Sequence, residues 1–196
     1  MKVALLNPPW TFEGSIYFGC REPHLPLELG YTRALLERGG HEVLLLDGHL
    51  MAQSYTDLAA QVRAFAPAMT VVTTAPSYLF WRCAPPELRV PRAMLDALAG
   101  TVGLTVAVGP HGSSTPETTL RKLGADVVVM GECEEVVAAL ANGGTPGQLP
   151  GTATLVDGTL RQSGGPQAAG FTDLPALHWP AEWVRRHHHH HHRFDR

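Results

Sequence analysis

The chain begins MKVALLNPPW, Met1 to Trp10, a short apolar strand that stops at an Asn-Pro-Pro turn. Val3, Ala4, Leu5 and Leu6 show no polar alternation, so both faces of the strand are expected to be buried, as in the centre of a parallel sheet. Pro8 and Pro9 cannot donate to a ladder, and they send the chain out over the sheet's carboxyl edge. In an open α/β sheet that edge, next to the strand where the winding order reverses, is where ligands bind.

The next segment, Thr11 to Pro26, is a long loop carrying Phe12, Tyr17, Phe18, Cys20, Glu22 and His24. A loop of this length inside a compact domain is more often functional than idle. After Pro26, Leu27, Tyr31, Ala34 and Leu35 recur at helical spacing with Glu28, Arg33 and Glu37 opposite, and Gly39-Gly40 closes the helix. HEVLLLD, His41 to Asp47, reads as a second buried strand. Leu58, Val62 and Phe65 mark a helix stopped by Pro67, and Met69 to Thr74 gives a third strand rich in β-branched residues. A wide loop, Ala75 to Val90, and a helix near Pro91 to Leu98 lead to a fourth strand, Leu104 to Val108.

Gly109 to Ser114 reads as that strand's loop, and Thr115-Pro116-Glu117 opens the following helix. Asp126 to Met130 is the fifth strand, followed by a helix from about Glu135 to Leu140 with acidic residues at its amino end. Five buried strands alternating with helices predict an α/β fold, a doubly wound five-stranded parallel sheet in the flavodoxin-like order 2-1-3-4-5. This domain is expected over residues 1–142, with a turn-rich linker over 143–170 that holds a separate small hairpin, Thr152 to Gln162, turned by Asp157-Gly158. Residues 171–196 read as an extended tail whose Leu174, Leu177, Trp179 and Trp183 form an apolar strap with nothing evident of its own to cover.

Of 196 residues 44% are hydrophobic, enough for a buried core. The formal charge is −3 and the pI about 6.4, so no basic stripe speaks for nucleic acid. Cys20, Cys83 and Cys133 lie too far apart for metal spacing, and they cannot assemble an iron–sulfur cluster alone. No leader or membrane span is visible, and a cytoplasmic location is expected. His187 to His192 is either a purification tag or a native histidine-rich linker. Its place between Arg185-Arg186 and Arg193-Phe194 speaks for the linker.

Four loops converge on the carboxyl edge: Asn7 to Trp10, Thr73 to Ser77, Gly109 to Ser114, and Gly131-Glu132. Each pairs small residues with hydroxyls or free backbone N–H groups, which suits a bulky ligand with phosphate and amide acceptors. Together with HLPLELGYTRALLERGGHEVLLLDG, VGPHGSSTPETTL and GADVVVMGECEEVV, they resemble the amino-terminal cobalamin-binding domain of the cobalamin-dependent radical S-adenosylmethionine enzymes, and LPGTATLVDGTLRQ and TDLPALHWP resemble the connection that precedes the radical domain in that family. The resemblance covers about the first 180 residues and lies in order and spacing more than in any one motif.

The resemblance implies a corrin over the carboxyl edge, with its nucleotide tail descending between the loops of the third, fourth and fifth strands. Asn7, Pro8, Pro9 and Trp10 then belong to the first loop of the site, Thr73, Thr74 and Ser77 contact the tail, Gly109, Pro110, His111, Gly112 and Ser113 line it, and Gly131 and Glu132 close it. The family's usual Gly-Gly-Pro-His is here Val108-Gly109-Pro110-His111, without the first glycine. Relatives that ligate cobalt from below carry Asp-x-His-x-x-Gly in the first loop. NPPWTFEGS has no histidine, so a His-off cofactor is expected, with His24 and His49 as surface or packing residues. Trp10 and Tyr17 either cover the lower corrin face or plug the loop against the core. Cys20 and Cys133 have no activating neighbour in sequence.

The C-x-x-x-C-x-x-C cluster motif is absent. The resemblance therefore assigns S-adenosylmethionine and the [4Fe-4S] cluster to a radical domain outside this sequence, which reads as a module truncated before it. Such a module binds and does not catalyse alone; in a methyltransferase-type enzyme it would hold methylcobalamin for a substrate radical made next door. Two rivals use the same sheet. One is a nucleotide- or sugar-modifying enzyme with His111 and Glu117 as acid and base, which lacks a nucleophile. The other is a receiver-like signalling module, which wants acidic residues where Asn7-Pro8 and Thr73-Thr74 stand.

Overall fold

The computed structural model describes residues 1–11, 23–77, 87–100, 103–170 and 174–187. Phe12, Tyr17, Phe18, Cys20, Glu22, Cys83 and His188 to His192, singled out above, lie outside them. The opening strand β1 (Lys2–Asn7) runs parallel to β2 (Glu42–Asp47) on one side and β3 (Met69–Thr73) on the other. Strands β4 (Leu104–Val108) and β5 (Val127–Val129) continue the parallel run. The order 2-1-3-4-5 is as expected, with β1 central and the winding reversing between β1 and β3.

Helices cover both faces, which is why the strands carry unbroken apolar runs. Val3 and Leu5 of β1 face α1 (Leu27–Arg38) and α6 (Glu134–Ala141), in a layer with Leu29, Leu36, Val71, Val106 and Val137. Ala4 and Leu6 face the opposite layer, built on α2 (Tyr55–Phe65), α3 (Arg89–Ala97) and α5 (Pro116–Leu123) through Leu58, Met94 and Leu120. Helix α2 starts at a capping box, in which Ser54 Oγ accepts from the Asp57 N–H at 3.2 Å and Asp57 Oδ2 accepts from the Ser54 N–H at 3.0 Å. No helix among the described residues is long and apolar enough to cross a membrane.

Three expectations change. The sheet has seven strands: β6 (Thr152–Val156) pairs antiparallel with β5 and carries β7 (Thr159–Ser163) beyond it. The hairpin is thus part of the sheet and not a separate unit. The cause is β5, whose valines are wholly buried, because an all-apolar edge must be covered. Asp157 and Gly158 have φ of 50° and 73°, the positive pair that a tight hairpin turn needs. Second, Gly109 to Ser114 is not all loop. Pro110–Ser114 winds into a short helix, α4, which proline at its first position favours.

Third, the tail docks on the domain. Trp179 lies over Gly30 of α1, where a Cβ would come within 2.5 Å of the indole ring. It stacks on Trp183 of the short helix α7 (Ala181–Arg186) with ring centroids 5.8 Å apart, and Trp183 is buried. The Leu25 N–H donates to His187 Nδ1 at 3.1 Å. The strap finds its partner in the slot left by a helix residue without a side chain.

That docking is open to test. The amides of Trp183 and His187, which donate to the carbonyls of Pro180 and Trp183, should be protected from hydrogen exchange, and Gly30→Val should release them while leaving the sheet protected. Equal exchange at these amides in both proteins would show that the strap is not seated.

Candidate functional site

The first loop is occupied by its own structure. Asn7 Nδ2 donates to Asp47 Oδ2 at 2.9 Å, and Asn7 Oδ1 accepts from the Trp10 indole N–H at 2.6 Å and from Thr73 Oγ1 at 3.1 Å. All four residues are buried. One amide thereby ties the carboxyl ends of β2, β1 and β3, and Trp10 plugs the loop against the core. The switch point is filled. Burial pushes the Asp47 carboxyl up to about 6, against the Leu50 N–H and the Asn7 amide that hold it down.

The open space lies further along the edge. A cleft of about 320 Å³ is walled by Glu28 of α1, by Gly109, Pro110 and Ser113 after β4, by Gly131, Glu132, Cys133 and Glu134 after β5, and by Gln167 and Ala168. Of the residues expected at the site, Gly109, Pro110, Ser113, Gly131 and Glu132 come together here. Gly109 holds a φ of 123°, open to glycine and strained for other residues, at the sharp exit from β4. Ser113 Oγ accepts from the Gly131 N–H at 2.7 Å and joins the two loops.

The remaining expected residues stand elsewhere. Asn7 and Trp10 belong to the network above, and Pro8 and Pro9 are part of its loop; none of the four lines the cleft. Thr73 is spent on Asn7. Thr74 is buried, with Oγ1 unpartnered among the described residues. Gly112 faces β5, where a Cβ would meet the Val129 carbonyl at 2.6 Å, so it sets the seating of α4 and does not line the cleft. The carbonyl of His111 accepts from the Thr115 N–H and from Thr119 Oγ1, capping the join of α4 and α5. Val108 is wholly buried in the core. Glu117, the rival reading's base, is surface-exposed and paired with Arg121 at 2.8 Å. His24 packs edge-on against His187, ring centroids 5.2 Å apart.

Sequence reading missed Glu28, Cys133, Glu134, Gln167 and Ala168. Amphipathic spacing places Glu28 opposite the apolar face of α1, yet it is 9% exposed. Ser77 Oγ donates to its Oε2 at 2.5 Å, so Ser77 reaches the cleft through Glu28. Gln167 arrives from the linker as a short parallel bridge to Gly131, and its carbonyl accepts from the Glu132 N–H at 2.9 Å. A Cβ on Gly131 would sit 2.1 Å from that carbonyl, so only glycine admits the crossing. Glu132 accepts from the Ala169 N–H and fixes the same segment.

Burial dominates the electrostatics. Desolvation raises the Glu28 carboxyl to about 7, against the lowering hydrogen bond from Ser77, and the Glu134 and Asp47 carboxylates push it the same way. Burial likewise raises Glu134 and pushes the Cys133 thiol well up, so Cys133 is not an activated nucleophile.

Two consequences are measurable. Asn7→Leu strands Asp47, Thr73 and the Trp10 indole in a buried site, and should cost about 2–4 kcal/mol in denaturant unfolding; a loss under about 0.5 kcal/mol would show the network to be dispensable. Between its ordinary value of 4.5 and about 7, Glu28 holds a proton in the folded chain that the unfolded chain has released. Its contribution to stability is therefore full below the unfolded value and is lost as pH rises through about 7. Glu28→Gln should be more stable than the parent at pH about 8, by about 1–3 kcal/mol, with the difference shrinking towards pH about 5. A difference that does not vary with pH would contradict the raised carboxyl.

Compared with known proteins, residues 20–141 match the B12 binding domain family. The curated relative named uncharacterized methyltransferase PH0819, of Pyrococcus horikoshii, is 31% identical over 156 residues, 73% of this chain and 30% of that protein. Among solved structures, the radical S-adenosylmethionine methyltransferase TsrM of Kitasatospora setae, with cobalamin and a [4Fe-4S] cluster bound, superposes with a TM-score of 0.63 at 19% identity, over 89% of this chain and 30% of that one. The cobalamin-dependent S-adenosylmethionine radical enzyme OxsB, with aqua-cobalamin and S-adenosylmethionine bound, gives 0.65 at 14% identity, over 90% and 24%. The chain spans under a third of the length of each of these relatives. With the family match covering more than half of its residues, on a doubly wound sheet with its cleft at the carboxyl edge, the chain belongs to the B12 binding domain family, whose cofactor is cobalamin.

Proposed function

We propose that this chain is the cobalamin-holding module of a cytoplasmic, methyltransferase-type radical S-adenosylmethionine enzyme, and that it binds the cofactor with no protein imidazole on cobalt. The observation that carries this is the cleft after β4 and β5. Its volume of about 320 Å³ stands at the lower end of small-ligand pockets, about 300–1,000 Å³. It suits a heterocycle with its sugar and leaves a whole corrin outside, over the edge. Gly109, Pro110 and Gly131 line it, and Ser113 joins the two loops through its hydrogen bond with the Gly131 N–H. These features fit a nucleotide tail.

When bound, the cofactor supplies a cobalt–carbon bond from which a methyl group can pass to a substrate. The chain's part is to seat the tail, keep it dry and hold the corrin over the edge. Asn7 to Trp10 act one step back: the Asn7 network fixes the floor on which the corrin would rest. The His-off reading draws on NPPWTFEGS, which has no histidine, and on His24, whose ring is packed against His187. S-adenosylmethionine and the [4Fe-4S] cluster would belong to a radical domain in the same polypeptide, approached through the strap along α1.

The purified protein should take up hydroxocobalamin and show a corrin spectrum. Reduced to cob(II)alamin, it should show no nitrogen superhyperfine splitting in its electron paramagnetic resonance spectrum. A triplet that disappears in His24→Ala or His49→Ala would overturn the His-off reading, and one that survives both would place the cofactor's own base on cobalt. Folded protein that takes up no corrinoid would overturn the function itself.

A further inference from the structure

The walls of the cleft are not equally supported. Glu28 stands on α1, which packs on the sheet through Leu29 and Leu36 and carries Trp179 over Gly30. Gly109, Pro110 and Ser113 belong to the start of α4, and Gly112 seats that helix against β5, where a Cβ would meet the Val129 carbonyl at 2.6 Å. Elements packed this closely have no room to yield. Gln167 and Ala168 form the remaining wall, and they come from the linker, where Gln167 makes an isolated bridge to Gly131.

Behind this wall lies a second hollow, of about 220 Å³, bounded by Val136 and Ala139 of α6, by Leu149 and Pro150, and by the strip Gln167 to Ala169 itself. Gln167 and Ala168 line both spaces, so the strip is a partition with room on each side. Its fastening is uneven. Gln167 is pinned by backbone, its N–H donating to the Met130 carbonyl at 3.0 Å and its carbonyl accepting from the Glu132 N–H at 2.9 Å. Its side chain lies over Gly151, where a Cβ would come within 2.5 Å of it. Further on, the Ala169 and Gly170 N–H groups donate to the side chains of Glu132 and Glu135. These are long, rotatable carboxylates that can follow a moving backbone.

We propose that Ala168 to Gly170 is a yielding wall that pivots at Gln167, and that the hollow behind it sets how bulky a lower base the site accepts. The inference rests on the cobalamin reading above and adds a specificity to it. As it stands the cleft suits a heterocycle with its sugar. A base with a further fused ring needs more room, and the strip supplies it by moving back towards Val136 and Ala139. Ala168 and Ala169 then gain contacts in the hollow that offset those they leave. Ala139 lines the hollow and not the cleft, so it acts on specificity through the strip, as a positioning residue.

The test is binding, followed by absorbance, of three corrinoids: cobinamide, which has no nucleotide tail; cobalamin; and a cobamide whose lower base is naphthimidazole, with a third fused ring. The parent protein should bind cobalamin about tenfold or more tighter than cobinamide, and the naphthimidazole cobamide within about threefold of cobalamin. Ala139→Leu, which fills the hollow, should hold cobalamin within about threefold of the parent and weaken the naphthimidazole cobamide about tenfold or more, as overpacking does. Ala139→Val should act in the same direction with a smaller loss, and it decides the matter should Ala139→Leu not fold.

A parent that binds the naphthimidazole cobamide about tenfold or more weakly than cobalamin has a fixed wall, which would overturn the inference. So would folded Ala139 variants that bind both cobamides as the parent does, because the strip would then not retreat into this hollow. An equal loss of all three corrinoids would make Ala139 merely structural and overturn it as well. Folded parent protein that binds no corrinoid, or cobalamin no tighter than cobinamide, would instead overturn the reading of the cleft as the tail's site, so the two failures are told apart.

Discussion

Asn7 is the constraint on which the carboxyl edge depends. Its side chain has two donors and an acceptor oxygen with two lone pairs, and both lone pairs and one donor are used across three adjacent strands, with partners in β2, β3 and the turn that follows β1. In a dry site such a network is costly to break and rigid when complete. Because it closes the switch point, the edge cannot open there. Space is left where β4 and β5 end, with α1 and α6 directing their amino termini and their first-turn acids, Glu28 and Glu134, towards it.

Those acids meet two opposing effects. A helix amino terminus favours a negative charge by roughly 0.3–1 kcal/mol, whereas full burial shifts a carboxyl by up to several units, each worth about 1.4 kcal/mol. Burial wins for Glu28. The domain thus holds a carboxyl that is neutral over part of the physiological range, at some cost to stability at higher pH. The linker that crosses at Gln167 helps to seal the same wall, so the cleft and the exit of the chain towards its strap are built from one continuous segment.

Much of the fold was legible. Unbroken apolar runs such as Leu104 to Val108 identify strands buried on both faces, and glycine or proline marks their ends. The hairpin's turn was legible from Asp157-Gly158, yet its place was not, since a local motif does not say which edge it will cover; the bare valines of β5 decided that. The strap's tryptophans were read as unpartnered because Gly30, the slot that receives Trp179, leaves no sign in helical periodicity. At the site, residues next to strand ends were found and Glu28 was missed. Position on an amphipathic pattern places it in solvent, while Ser77, which donates to it, and Glu134, whose carboxylate acts on it, lie far away in sequence. Gly112 is expected from its loop to line the tail, but the neighbour that leaves no room for a side chain there is β5 and not the ligand.

The central claim is that the cleft between α1 and the ends of β4 and β5 receives the nucleotide tail of cobalamin. A crystal structure of this protein grown with hydroxocobalamin would decide it most directly. The expected result is density for the benzimidazole and its ribose inside the cleft, with the Asn7 network unchanged beneath the corrin. A corrin bound with its tail folded back onto cobalt, or with the tail lying elsewhere and the cleft empty, would contradict it.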